Sequence, residues 1–163
     1  MGLMSPPFPT QGLRFRVATE ADVPAMAACR LQDPEAGPAD SRMAAYFRGE
    51  HHPQRALLPR TGYLALVKDK VIGYIAGHST TRHDCAGEVQ YLFVAPEFRR
   101  RGIAGAMLRL LAAWFQEHGV ARVCVCVDAD SPAAQPFYHS LGASPLPSRR
   151  FWYVWENIGC LLC

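Results

Sequence analysis

Charge is scarce in this chain of 163 residues: 19% are Asp, Glu, Lys or Arg, and the formal net charge is only +3. So slight a balance is too little to argue for a nucleic-acid partner, and none is expected, although local arginine clusters suit a small polyanionic ligand. No apolar run reaches the length of a membrane span, so no membrane partner is expected. The opening "MGLMSPPFPTQG" lacks a basic start followed by an apolar core, so no secretory signal is expected either. Cysteine is present six times, but zinc-ligand spacing is missing, and no metal site is expected from His83, Cys85, Cys124 and Cys126. Cys29, Cys124 and Cys126 read instead as small buried hydrophobes of a reducing, cytoplasmic protein. The closing "CLLC" matches a prenylation signal in form, yet no polybasic segment precedes it.

Half of the residues are apolar, which marks a globular chain, and its length suits one core. Residues 1–12, rich in proline and glycine, read as a loose tail. Residues 13–158 read as one domain, and 159–163 as a C-terminal tail. "LRFRV" alternates as a first strand, and "ADVPAMAACRLQ" and "SRMAAYFRGE" follow as helices. "HHPQRALLPRT" reads as irregular and exposed. "GYLALVKDKVIGYIAGHS" is a hairpin around Lys68-Asp69-Lys70, and "EVQYLFVAP" is a strand stopped by Pro96. A helix from Gly102 carries an apolar stripe of Ile103, Met107, Leu110, Leu111, Trp114 and Phe115. "VARVCVCVD" is a buried strand, "SPAAQPFYHSLG" a short helix and "RRFWYVWENI" a closing strand, with room for a short strand at "ASPL". The order β-α-α-β-β-β-α-β-α-β implies a mixed sheet and not a doubly wound one.

The stretch "FVAPEFRRRGIAGAMLRLLAAWF" is unusual because glycines weaken the helix they open. A strand, a proline bend and a basic glycine-bearing loop at a helix start form a phosphate-binding arrangement. The first helical amides lack internal partners, and the helix dipole favours negative charge there. Neither G-x-x-x-x-G-K-S/T nor G-x-G-x-x-G occurs, which removes the Walker and dinucleotide readings.

Arg99-Arg100-Arg101-Gly102-Ile103-Ala104 fits the Q/R-x-x-G-x-G/A loop of the GNAT acyl-CoA N-acyltransferase superfamily. "DADSPAAQPFYHSLGA" is similar to that family's N-x-x-A-x-x-F-Y-x-x-x-G-F segment, and the element order agrees over residues 13–158. The resemblance implies an α/β (α+β) GNAT fold: a mixed, mostly antiparallel sheet of six to seven strands with helices on both faces. It also implies an enzyme that carries acetyl from acetyl-CoA to a primary amine by direct attack on the thioester, releasing coenzyme A.

The same resemblance implies residue roles. Backbone groups of Leu92, Phe93 and Val94 would pair with the pantetheine arm, and an amide near Phe93 or Val94 would face the oxyanion. Arg99, Arg100, Arg101, Gly102, Ile103, Ala104 and Gly105 would hold the pyrophosphate, with Asp130 and Phe137 beside the arm. Tyr138 stands where the family has its general acid, and Glu88 where it often has a carboxylate base, with His78, His83 and Asp84 as alternatives. Asp130 replaces a common asparagine, and Ala143 a common aromatic.

The acceptor, a small amine or a peptide N-terminus, would meet residues such as Asp33, Glu35, Asp40, Tyr46, His51 and His52 and the strand "FWYVW". Arg149 and Arg150 would suit a carboxylate. The alternative is a non-catalytic acyl-CoA sensor or interaction domain, which would have no need of Tyr138. The aromatic "FWYVW" also makes a homodimer through the last strands conceivable.

Overall fold

The structure is a computed structural model that describes residues 12–163, so the loose tail expected over 1–12 lies almost wholly outside the described residues. One seven-stranded sheet runs in the order β1-β2-β3-β4-β5-β7-β6. Its strands are β1 (Leu13–Val17), β2 (Ala56–Val67), β3 (Lys70–Thr80), β4 (Gly87–Val94), β5 (Val123–Cys126), β6 (Ser144–Pro145) and β7 (Trp152–Trp155). The helices are α1 (Val23–Arg30), α2 (Met43–Phe47), α3 (Ile103–Glu117) and α4 (Ala134–Ser140). Only β4 and β5 pair in parallel; the other neighbours are antiparallel. Among the described residues no helix is long and apolar enough to cross a membrane.

The expected order of elements holds, with two corrections. The stretch read as irregular contains the start of β2, which begins at Ala56 and is interrupted by a register shift between Leu57 and Arg60. Pro59 sits inside that shift, where a missing N–H breaks no regular ladder. The segment read as a C-terminal tail folds into a 3₁₀ turn from Ile158 to Leu162, whose Ile158 and Leu161 are buried in the core beside α3. The "FWYVW" strand, β7, lies between β5 and β6, and its Tyr153, Val154 and Trp155 are buried. Its Tyr153 and Trp155 pack inside this chain, whereas Trp152 is half-buried.

Each face of the sheet carries one apolar layer. On one side α3 buries Ile103, Met107, Leu108, Leu111, Ala112 and Phe115. Leu110 and Trp114, which the sequence pattern placed in the stripe, are only half-buried. Close approach of α3 depends on missing side chains: a Cβ on Gly77 would lie 2.9 Å from Leu111 Cδ2, and one on Gly87 2.6 Å from Phe115 Cε1. On the other side Met26 and Cys29 of α1 and Met43 of α2 pack with Leu64, Leu66, Tyr74 and Phe93. Helices therefore cover both faces, as the sequence implied.

The feature that positions the site is a fork. β4 and β5 pair only from Gly87–Val123 to Val89–Val125, yet β4 continues to Val94. Next to the last pair, Ala76 faces Tyr91 while Gly77 faces Val89, leaving Gln90 as an extra residue in β4. A bulge of this kind bends and twists its strand. β4 thus parts from β5 at Gln90, and a groove opens between them.

Candidate active site

Beyond Val89, Leu92, Phe93 and Val94 pair with Ile75, Tyr74 and Gly73 of β3, and no strand pairs with them on the β5 side among the described residues. That edge offers backbone groups to an extended ligand. β4 then ends in a 3₁₀ turn, Pro96–Phe98, and the chain reaches α3 through left-handed residues at Arg100 (φ +61°) and Gly102 (φ +79°). A Cβ on Gly102 would meet nothing, so this glycine answers the backbone angle and keeps the approach open. The Ala106 N–H donates to the Gly102 carbonyl at 3.0 Å, so the amides of Ile103, Ala104 and Gly105 precede the first helical bond. They form an anion-ready helix start.

Arg99 departs from its expected role. Its Nε donates to the Val94 carbonyl at 2.8 Å and a terminal nitrogen to Asp33 at 2.7 Å. This guanidinium ties the end of β4 to the loop after α1 and holds the Asp33 carboxyl below its ordinary range. Its charge is therefore partly spent on shaping the loop. The Arg101 guanidinium lies 5.6 Å from the Phe98 ring centroid.

At the other end of the fork, Glu88 is buried, and β3 places His78 directly across the ladder from it. His78 Nε2 lies 3.0 Å from Glu88 Oε2, and the Tyr46 hydroxyl 2.8 Å from His78 Nδ1. An ionised carboxylate only accepts, so Nε2 carries a hydrogen toward Glu88, and Nδ1 shares a hydrogen bond with the Tyr46 hydroxyl. Burial pushes the Tyr46 phenol up, so the hydroxyl keeps its proton. Arg82 makes a longer contact, 3.4 Å, to Glu88 Oε1.

Glu88 reaches solvent through a cavity of about 450 Å³, lined at the fork by Val89, Gln90 and Cys126. Its outer wall is Arg42, His51, His52, Gln54, Arg82 and Trp152. A second cavity of about 480 Å³ shares Gln54, Arg82 and Trp152 and adds Arg55, His83, Asp84 and Arg149. Among the candidate bases, His78 supports Glu88, whereas His83 and Asp84 belong to the second cavity. Burial lowers the His83 imidazole pKa, and the ring packs on Trp152 at 4.5 Å between centroids.

Tyr138 projects from α4 and packs on Phe137 and Trp155, with ring centroids at 5.0 and 5.8 Å. The Trp155 indole donates to the Leu141 carbonyl at 3.1 Å, fixing the end of α4. No described residue accepts the Tyr138 hydroxyl, and burial pushes its pKa up. The phenol is therefore protonated, with no hydrogen-bond partner among the described residues. Cys126, read as buried, is exposed at the fork: β5 ends there, and the partner strand that would have covered it has parted. Asp130 is exposed. Counting back from Phe137 puts the first position of the N-x-x-A-x-x-F-Y pattern on Ser131, one residue after Asp130.

The structure brings His51, His52 and Trp152 to the cleft as expected. Asp33 instead serves Arg99, and Asp40 accepts from the Tyr91 hydroxyl at 2.9 Å. Sequence reasoning missed Arg42, Gln54 and Arg82, which no motif marks, and the Tyr46–His78 support. A correctly placed bulge at Gln90 would have revealed His78 opposite Glu88.

A family model described as the acetyltransferase (GNAT) family matches residues 26–143. Among solved structures, the chain is similar to a putative GNAT-family acetyltransferase from Desulfovibrio desulfuricans, with a TM-score of 0.71 and 16% identity over 90% of this chain and 99% of that one. It is also similar to the ribosomal-protein-S18-alanine N-acetyltransferase from Escherichia coli, with a TM-score of 0.62 and 20% identity over 87% and 90% of the two chains. A third similar structure is a GNAT-family N-acetyltransferase from Escherichia coli in complex with CoA, with a TM-score of 0.64 and 20% identity over 91% and 84%.

Proposed function

The chain belongs to the acetyltransferase (GNAT) family, and on that footing we propose that it transfers acetyl from acetyl-CoA to a primary amine by direct attack on the thioester. Acetyl-CoA is the cosubstrate of this family. The observation that carries the reading is the fork: a buried, solvent-reached carboxylate at one end, an anion-ready helix start at the other, and an unpaired strand edge between them.

The amides of Ile103, Ala104 and Gly105, with the charges of Arg100 and Arg101, would hold the pyrophosphate. The free edge of Leu92–Val94 would hold the pantetheine arm. The acceptor would enter through the cavity beside Glu88. Glu88 takes the proton from the ammonium, directly or through water, because a protonated nitrogen has no lone pair to attack with. The C–N bond forms, the C–S bond breaks, the departing sulfur receives the Tyr138 proton, and the second proton that nitrogen loses on becoming an amide restores the Tyr138 hydroxyl through solvent. A phenol is a weaker acid than a thiol, so donation requires contact with sulfur as its charge develops.

Calorimetric titration with acetyl-CoA, paired with thiol release over a panel of amines, tests this. Micromolar binding with amine-dependent release is expected. Failure to bind acetyl-CoA would overturn the reading.

A further inference from the structure

We propose that the acceptor amine carries a carboxylate, in the manner of an amino acid, and that Arg42, His52, Gln54 and Arg82 form its anion-recognising wall. This rests on the acyltransferase reading and specifies the other substrate.

The wall presents hydrogen-bond donors, and the packing leaves little choice about it. Arg60 donates to the carbonyls of Tyr46 and His51 at 3.0 and 2.8 Å, and its other terminal nitrogen lies 2.7 Å from His52 Nδ1. A guanidinium cannot accept, so Nδ1 must accept and the neutral ring carries its hydrogen on Nε2. By the same rule, Gln54 turns its carbonyl oxygen to Arg82, which leaves its NH₂ as the outward group. Among the described residues Arg42 is anchored only by a 3.4 Å contact from Nε to Asp40, and its side chain is 66% exposed. Its terminal nitrogens are therefore available. Arg82 is stacked over Trp152, 4.3 Å from the ring centroid, and held in place between the two cavities.

Against these donors the first cavity sets one carboxylate, Glu88. The second adds two further guanidiniums, Arg55 and Arg149, and one further acid, Asp84. An amine without other charge would satisfy Glu88 and leave the donor wall idle. A polyamine or aminoglycoside would bring several cations against four arginines, which like-charge repulsion disfavours. An amine with an attached carboxylate satisfies both walls at once: nitrogen toward Glu88, carboxylate toward Arg42 and its neighbours, with charge-assisted bonds setting orientation. The cavity, about 450 Å³, is of a size that accepts a small molecule.

The test begins with calorimetric binding of acetyl-CoA, then measures thiol release with matched acceptors: several amino acids, each beside its carboxamide and its decarboxylated amine. Glycine, β-alanine and γ-aminobutyrate report the preferred spacing. At least one amino acid is expected to exceed its carboxamide by roughly tenfold or more in kcat/KM, the scale of a charge-assisted bond. Arg42→Gln is expected to bring that ratio toward one, chiefly through KM, with acetyl-CoA affinity retained. Equal or better turnover of the uncharged partners overturns the proposal, as does silence of every amino acid in a protein that binds acetyl-CoA; both leave acyl transfer standing. Failure to bind acetyl-CoA removes the acyltransferase reading and this inference with it.

Discussion

His78 and Glu88 face each other across the β3–β4 ladder and meet through Nε2 and Oε2 at 3.0 Å, with both side chains buried. The imidazole donates to the carboxylate through Nε2 and is itself fixed by the Tyr46 hydroxyl at Nδ1. His78→Phe should therefore leave a buried carboxylate and a buried phenol each short of a partner. We expect a loss of about 1–3 kcal/mol, several degrees in Tm for a chain of this size. His78→Gln retains a donor and should recover much of the stability. In a positioning role, both variants should lower kcat and alter the acid limb of the pH–rate profile while acetyl-CoA affinity holds. An unchanged pH profile would reduce His78 to a structural residue.

Glu88 itself is tested by Glu88→Gln, which keeps hydrogen-bonding capacity and removes basicity. The expected loss is about 10²–10⁴-fold, the usual worth of general base catalysis. It should be largest at low pH, where more of the acceptor is protonated. A profile parallel to wild type would assign proton removal to water.

The glycine-bearing loop before α3 was legible because its backbone demand is written in residue type: Gly102 occupies φ +79° and opens a helix. The helix that carries Tyr138 was legible for a similar reason, since its residues follow a local pattern. The supports were not. Arg99 finds Asp33 across 66 residues, Tyr46 finds His78 across 32, and each meeting depends on how α1 and α2 dock. Cys126 was misjudged because strand alternation assumes a neighbour, and the fork removes it. The start of β2 was missed because Pro59 and two histidines resemble a loop until the bulge absorbs the proline.

Gly102→Glu should abolish binding of acetyl-CoA measured by calorimetry, since it places bulk and negative charge where the pyrophosphate would sit. Gly102→Ala isolates the backbone term. Its Cβ meets nothing, so the cost is the left-handed angle, about 1 kcal/mol. Unchanged affinity in the Glu variant would remove the loop assignment.

Away from the site, Asp22 offers a stability test by pH. Arg16 grips its carboxylate at 2.8 and 2.9 Å, the Thr19 amide donates to it, and its pKa is lowered from 3.8 to about 2. The folded value lies below the unfolded one, so this stabilisation is full above about pH 4 and is lost as pH falls toward 2. Arg16 is 42% exposed, and solvent screening limits the gain to about 1 kcal/mol or less. Asp22→Asn should lower Tm slightly at neutral pH and flatten its decline between pH 4 and 2. A decline identical to wild type would assign acid sensitivity to other carboxylates.

Tyr138→Phe removes one hydroxyl that no described residue accepts, so folding and acetyl-CoA binding should be nearly unchanged. The acid role predicts a fall in kcat of about 10²–10⁴-fold with little change in KM. Burial keeps the phenol protonated well above its ordinary range, so Tyr138 should contribute no alkaline loss of activity up to about pH 10. A leaving group of lower pKa needs less help from an acid. Replacing acetyl-CoA by an acyl donor with a better-leaving thiol should therefore narrow the gap between Tyr138→Phe and wild type. Equal deficits with both donors, or wild-type turnover in the variant, would make Tyr138 a packing residue and leave sulfur to depart as the thiolate.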